Sequence, residues 1–547
     1  MKKIINIAAA LVLAGTAFAA QPSIDIVPRP QEIKVTEGAM QVKGVTVYAD
    51  AKFDVTTLEA IGKFSASLGR VTVSEINCRI TGQPVRPGSR GISFVKSDNL
   101  AKEAYRLVVK ENTAVVEASS RAGVLYAIQT LKQMLPVKVY GNEPAPEEDW
   151  RLACCEIFDA PRFEYRGMHL DCCRHFFTLD EVRRYIDAMA IYKMNRLHWH
   201  LTEDQGWRVE IKKYPRLTEV GAFRNGTMIG KDFKSNDGIR YGGFYTQEEV
   251  KEIISYADER GITVIPEVDL PGHMLAALAS YPELGCEGSQ PYEVWTIWGV
   301  SKQVLSVGKE DTMKFLEDVV GELADIFPSE YFHIGGDECP KDEWKNDPAC
   351  QAKIKELGLV SDEKASAEAR LQNYVTARIQ NYLAAKGKKI IGWDEILEGE
   401  LAPGATVMSW RGTKGGIAAS NAGYDVIMTP NNFCYFDYRQ LEDKDAQPLA
   451  IGSAYLPFSK VYSCNPTEGL SSEAASHIRG VQANMWTEYV ATPEHLEFMV
   501  LPRMLALSEV QWCTLENKDL DRISSSLDNH QSKILDLLGY NYCKQHE

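Results

Sequence analysis

The sequence has no CxxC pair, no surplus of positive charge and no transmembrane segment. The first absence excludes a zinc ribbon. Its twelve cysteines are scattered, with vicinal pairs at Cys154/Cys155 and Cys172/Cys173, which is no disulfide scaffold either; mostly buried thiols are expected. A formal charge of −15 argues against nucleic acid and anionic membrane surfaces as partners. Neutral or cationic ligands fit it better.

What is present is the composition of a globular protein, 45% hydrophobic, 25% charged and 10% aromatic, in a chain of 547 residues that is too long for one ordinary domain. Residues 1–20 carry Lys2 and Lys3, an apolar run from Ile4 to Phe18, and small residues at Ala17, Ala19 and Ala20. That is the charge, length and cleavage chemistry of a secretory signal peptide, and the run is too short for a stop-transfer helix. No cysteine follows it to take a lipid. Export to a periplasm or the cell exterior is expected, and loss of the two lysines takes the charge from −15 to −17.

Residues 21–151 read as a mixed α+β domain. Tyr105–Val109 and Thr113–Glu117 form a hairpin across Lys110-Glu111-Asn112, and Ser119 or Ser120 caps a helix bearing Val124, Leu125, Ile128, Leu131 and Leu135 at helical spacing. The Pro- and Glu-rich stretch 141–148 reads as the linker out. From 160 to 512 the texture changes to strand-then-helix units. Candidate strands are Arg166–Asp171, Arg196–Leu201, Ile262–Val268, Tyr331–Gly335, Lys389–Trp393, Thr406–Trp410, Asp425–Thr429 and Gly480–Met485. Between them lie amphipathic helices, two of them opened by the capping boxes Thr178-Leu-Asp-Glu181 and Thr246-Gln-Glu-Glu249. Eight strands of this kind predict an α/β fold, a (β/α)8 TIM barrel preceded by a smaller α+β domain. A doubly wound sheet is the alternative, and no G-x-G-x-x-G follows the first strand to support it. Residues 513–547 read as a helical tail of unknown purpose.

In such a barrel the chemistry sits just past the strands' carboxyl ends. The residues there are Asp171 with Arg174 and His175, Glu203 with Asp204, Asp269 with His273, Asp337 with Glu338, Trp393, Trp410, Tyr435 with Asp437, and Trp486 with Glu488. Large aromatics covering C–H faces, with acids and an arginine for hydroxyls, are what a sugar requires. Glycosidic cleavage needs a proton for the leaving oxygen and something to stabilise the anomeric carbon. Asp337 and Glu338 are sequence neighbours, with Cα atoms about 3.8 Å apart. They are badly placed to act from opposite faces of a ring, as an acid and a nucleophile roughly 5 Å or more apart do. Either another acid is the nucleophile, or the substrate supplies its own.

The stretches Arg166-Gly-Met-His-Leu-Asp171 with Arg174-His-Phe-Phe177, His198-Trp-His-Leu-Thr-Glu-Asp-Gln-Gly-Trp207, Pro266-Glu-Val-Asp-Leu-Pro-Gly-His273, His333-Ile-Gly-Gly-Asp-Glu338 and Trp486-Thr-Glu488 strongly resemble the β-N-acetylhexosaminidases of glycoside hydrolase family 20. The resemblance implies an exo-acting enzyme that removes terminal non-reducing β-linked GlcNAc or GalNAc, needs no cofactor or metal, and uses the substrate's own 2-acetamido carbonyl as nucleophile through an oxazolinium intermediate. It implies Glu338 as acid and then base, Asp337 as the group that holds the acetamide N–H, and Tyr435 as the donor to the acetamide oxygen. Arg174 would bind the 3- and 4-hydroxyls, Glu488 the 4-hydroxyl and Asp437 the 6-hydroxyl, with Trp393, Trp410 and Trp486 as walls. His273 fits the family's residue linking a carboxylate to the acid. That carboxylate falls at Glu203, where many relatives have Asp, so the link runs through Glu203, Asp204 or water. Asp269 and Asp171 read as supporting acids. No aromatic for a second sugar is evident near Gly452, and Trp295 and Trp298 are candidates to replace it.

Two other readings stay open at this point. His198 and His200 alternate on one strand and face the same way, so with His169, His175, His273 or His333 they are a candidate metal set. A carbohydrate-binding protein without catalysis would keep the same pocket.

Overall fold

The computed structural model describes residues 22, 24–82, 90–398, 401 and 403–545; the expected signal peptide, residues 1–20, lies outside them. The amino-terminal unit is a seven-stranded sheet in the order Glu32–Gln41, Arg151–Asp159, Tyr105–Lys110, Thr113–Ala118, Gly91–Lys96, Thr46–Asp50, Cys78–Thr81. Burial alternates along Tyr105–Lys110 and Thr113–Ala118, so one face turns inward. Helices Val55–Thr72 and Arg121–Gln133 cover that face with Ile61, Phe64, Leu68, Val124 and Leu131. Of the two candidate caps it is Ser120 that accepts from Gly123 N, at 3.4 Å.

The end of this domain differs from the sequence reading. Arg151–Asp159 is a strand of the same sheet, paired on both sides, so the domain runs past residue 151 and 141–148 is a loop within it. The strand is buried along most of its length and lacks the period-2 alternation that marks a half-exposed strand.

All eight expected barrel strands form. Tyr165–Asp171, Arg196–His200, Thr263–Glu267, Tyr331–His333, Lys389–Trp393, Thr406–Ser409, Asp425–Met428 and Ile478–Ala483 pair in parallel, and the last closes on the first through Gly480 opposite Tyr165. Both capping boxes are present, at Thr178 and Thr246, so each helix start satisfies its own orphan amides. The interior is filled in layers. Tyr165, Ile265, Tyr331, Ile391, Met408 and Ile427 pack with Trp393, while the buried His169, His198, His200, Glu267 and His333 form a polar layer.

The two units are joined by a buried charge. Lys193, from the turn before the second barrel strand, places Nζ 2.8 Å from Asp159 Oδ2, and both side chains are fully buried. Tyr105 Oη donates to the same carboxylate at 2.7 Å, and Trp512 Nε1 donates to its other oxygen at 2.7 Å. The carboxyl-terminal helix Leu520–Ser526 and the turn Leu527–Gln531 that continues it also bridge the units: Gln531 Nε2 donates to Gln133 Oε1 at 3.1 Å, and Arg522 Nη1 to the Ile26 carbonyl at 3.2 Å. All twelve cysteines are free, and eleven are buried, Cys78 being the exposed one. Among the described residues no helix is long and apolar enough to cross a membrane.

Removing one partner of a buried pair leaves the other charge uncompensated. Asp159→Ala is expected to destabilise the protein by about 3–5 kcal/mol, read as a lower midpoint in chemical denaturation.

Candidate active site

The fourth barrel strand ends at His333 and the chain turns through Gly335 (φ 63°) and Gly336 (φ 96°) to deliver Asp337 and Glu338. The turn needs glycine for space as well as for angle: a Cβ on Gly335 would lie 1.8 Å from Asp269 Oδ1, the atom that accepts from Gly336 N at 3.0 Å. Glu338 itself has φ 44°, and His273, at the end of the third strand's loop, has φ 51°. Such angles cost a side-chain-bearing residue about 1–3 kcal/mol, and they persist where the surroundings over-determine them.

These residues border a cavity of about 420 Å³. It brings together Arg174, His273, Asp337, Glu338, Trp393, Trp410, Tyr435, Asp437, Trp486 and Glu488, ten of the residues singled out from the sequence. Trp393 and Trp486 meet at 5.9 Å and 45°, and Trp410 stacks on Tyr435 at 6.1 Å and 24°. Among the described residues Asp337 Oδ1, Asp437 Oδ1, Glu488 Oε2 and His273 Nε2 are buried without a hydrogen-bond partner. Buried polar atoms are rarely left so, and four around one cavity mark a place for a polar ligand.

Glu203, Asp204 and Asp269 lie behind this ring. Arg174 Nη2 is 2.7 Å from Glu203 Oε1 and its Nη1 is 3.2 Å from Asp171, while its Nε donates to Gln205 at 3.1 Å. The guanidinium is therefore held rigidly, over the Trp486 ring at 5.0 Å. The link left open from the sequence runs through Glu203: His273 Nδ1 is 3.0 Å from it and 3.7 Å from Asp204. Asp204 instead accepts from Leu275 N at 3.0 Å and Ser301 N at 2.9 Å, anchoring the loop. His273 Nε2 faces both acids, 3.9 Å from Asp337 and 3.8 Å from Glu338.

The electrostatics follow from burial and neighbours. Burial and the Asp337 charge raise the Glu338 carboxyl, which suits a group that must carry a proton. Burial disfavours the His273 imidazolium, but the Glu203 and Asp269 carboxylates outweigh it and hold the ring well above its usual range. Asp269 is pushed well up by burial and by Asp337, and Asp437 by burial and by Glu488. Asp204 rises to about 6, chiefly through burial.

The histidines considered for a metal converge on a carboxylate. His198 Nε2 and His333 Nδ1 each lie 3.0 Å from Glu267, His200 Nδ1 hydrogen-bonds it, and Trp393 Nε1 donates to it at 2.9 Å. Burial works against the His200 imidazolium, yet Glu267 beside it brings the ring to about 10, while burial takes His198 down to about 4. The Glu267–His200 ion pair thus sits beneath the Trp393 floor.

Sequence reasoning missed Tyr438 and the segment Ile451–Ala454, which also line the cavity, and Glu395, whose Oε2 accepts from the Trp410 indole at 3.0 Å. Glu395 was visible by the same rule that found the others, an acid just past a strand end. Ile451–Ala454 carries no signal of its own. Trp298 packs on His175 and Arg224, and neither it nor Trp295 lines the cavity.

Two family models match in tandem: glycosyl hydrolase family 20, catalytic domain, over residues 163–515, and domain 2 of the same family over 23–160. A β-hexosaminidase of Porphyromonas gingivalis is 41% identical over 525 residues, covering 95% of this chain and 64% of that protein, so the chain spans just under two thirds of that relative. A β-N-acetylhexosaminidase of Cellulomonas fimi is 31% identical, covering 95% of this chain and 96% of the relative. Among solved structures, the β-N-acetylhexosaminidase of Streptomyces coelicolor superposes with a TM-score of 0.81 at 31% identity, over 96% of this chain and 99% of that one. An exo β-N-acetylglucosaminidase of Vibrio harveyi, in complex with N-acetylglucosamine, gives 0.81 at 31% identity, over 96% and 79%.

The Glu203 contact makes its own forecast. In Glu203→Gln the carboxylate that favours the His273 imidazolium is gone while burial remains, so the imidazole pKa should fall, as followed by NMR titration.

Proposed function

The chain belongs to glycosyl hydrolase family 20, and from that premise we propose that it is an exo-acting β-N-acetylhexosaminidase, removing terminal β-linked GlcNAc or GalNAc with retention. One observation carries the reading: two neighbouring carboxyls, Asp337 with its side chain 13% exposed and Glu338 with 44%, open on one small aromatic-walled cavity. Their adjacency supports a division in which the sugar's own acetamide is the nucleophile. Glu338 gives its proton to the leaving oxygen as the acetamide carbonyl attacks the anomeric carbon and the glycosidic bond breaks. Asp337 accepts from the acetamide N–H and offsets the charge of the oxazolinium, and the Tyr435 hydroxyl donates to the carbonyl oxygen. Glu338, now a carboxylate, takes a proton from water as that water opens the ring. Arg174, Asp437 and Glu488 would bind the hydroxyls of a terminal sugar, and the unpartnered oxygens of Asp437 and Glu488 support that role. We assign the protein to an exported compartment on the strength of residues 1–20.

Glu338→Gln removes the acid, and turnover of an aryl N-acetyl-β-glucosaminide is expected to drop by roughly 10²–10⁴; unchanged turnover would overturn the assignment. The acid must be protonated, so activity should fall as pH rises past the raised Glu338 pKa. In Asp337→Asn a neighbouring negative charge is lost, and the alkaline limb of the residual activity should move to lower pH.

A further inference from the structure

We propose that Glu395 is a positioning residue for this reaction: its carboxyl holds the Trp410 indole and, through the stacked ring of Tyr435, the groups that align the acetamide. The proposal rests on the function proposed above. Its basis is a division of tasks between two adjacent acids in the turn Asp394–Leu397, which follows the fifth barrel strand. Asp394 holds backbone. Its Oδ2 accepts from Trp410 N and from Ser409 Oγ, each at 3.2 Å, and its Oδ1 accepts from Arg411 Nε at 2.6 Å. Arg411 returns to the same turn through Nη1 to Glu398 Oε1 at 2.9 Å. These contacts fix where the main chain of residues 410 and 411 lies, and leave the indole free to swing about its side-chain torsions.

Glu395 removes that freedom. Its Oε2 is 3.0 Å from Trp410 Nε1, and its side chain is only 11% exposed, so water is a poor substitute acceptor. The turn itself is pressed against the catalytic one: a Cβ built on Gly336 would meet Ile396 Cγ2 at 3.0 Å, and Gln372 Nε2 donates to the Gly336 carbonyl at 2.8 Å from the other side. Trp410 then passes the constraint on, stacked on Tyr435 at 24°. A misplacement of about 1 Å in a reacting group costs on the order of 10²-fold in rate, so the orientation of these rings bears on kcat.

The charged groups facing Glu395 are Asp337 from the fourth strand's loop, Arg411 from the sixth and Asp394 in its own turn. Burial and then the Asp337 charge lift its carboxyl to about 8, and a neutral carboxyl still accepts the indole N–H through its carbonyl oxygen. A neutral amide should therefore replace it, and an alkyl group should not.

The test compares Glu395→Gln with Glu395→Leu in the full chain. With an aryl N-acetyl-β-glucosaminide, Glu395→Leu should lose about 10- to 100-fold in kcat with KM changed less than about threefold, and Glu395→Gln should stay within about threefold of the parent. Independently of activity, Glu395→Leu should alter tryptophan fluorescence and near-ultraviolet circular dichroism, and the change should vanish when Trp410→Phe is already present. Parental kcat with unchanged spectra in Glu395→Leu would overturn the proposal. So would equal losses in both variants, or a spectral change that persists without Trp410. If the parent does not turn over the glycoside, the proposed function fails, and the spectra still decide what Glu395 does.

Discussion

The Glu203 carboxylate is the contact on which the site depends. It is almost wholly buried, which is unfavourable for a charge, and is stabilised there by Arg174 at 2.7 Å and His273 at 3.0 Å, with His200 Nε2 at 3.6 Å. One anion thereby ties together three successive strand ends. Arg174 comes from the first, Glu203 from the second and His273 from the third; His273 then faces the pair at the end of the fourth. These four strands are neighbours in the barrel, and its curvature brings their ends around one point. The buried pair between Asp159 and Lys193 does a related job lower down, seating the amino-terminal sheet against the barrel.

Local conformation is arranged around the same point. The positive φ angles of His273 and Glu338 are unfavourable for residues with side chains. His273 keeps its angle because Glu203 and Asp204 hold its imidazole from one side. Glu338 lies two residues past Gly336, whose amide and carbonyl are tied to Asp269 and Gln372. Strain of this kind aims a side chain, and here it aims the acid and its histidine neighbour at one cavity.

Much of this was legible in the sequence because barrels put function at a repeated position. Eight strands ending in acids or aromatics located ten cavity residues, including Asp437 and Glu488, which lie far from Asp337 in the chain. The rule fails where position is set by tertiary contact. Arg151–Asp159 escaped because a strand buried on most of its length shows no alternation, and Trp298 looked like a platform because nothing local reveals that His175 and Arg224 already cover it. Ile451–Ala454 reaches the cavity because Ile451 N donates to the Asp437 carbonyl at 3.0 Å, a contact with no sequence signature. The histidines of the second strand suggested a rival metal set, and the sequence did not show that Glu267, an inward-facing residue of the next strand, meets them.

On the proposed function, the crowding of acids bears on how a buried site would handle both a proton and a cationic transition state. Asp269, Glu338, Glu395 and Asp437 are all raised, in each case by burial first and by a neighbouring carboxylate second. Arg174 and His273 are the cations bordering the cavity, and both are already engaged by Glu203. Among the described residues Asp337 Oδ1 borders the cavity without a partner of its own. On the proposed mechanism a neutral sugar would offer that carboxyl little, whereas positive charge growing on the acetamide would be met by it. Stabilisation aimed at charge that appears only in the transition state lowers the barrier without tightening ground-state binding. On the same reading, burial beside Asp337 would keep the proton on Glu338 until the leaving oxygen takes it.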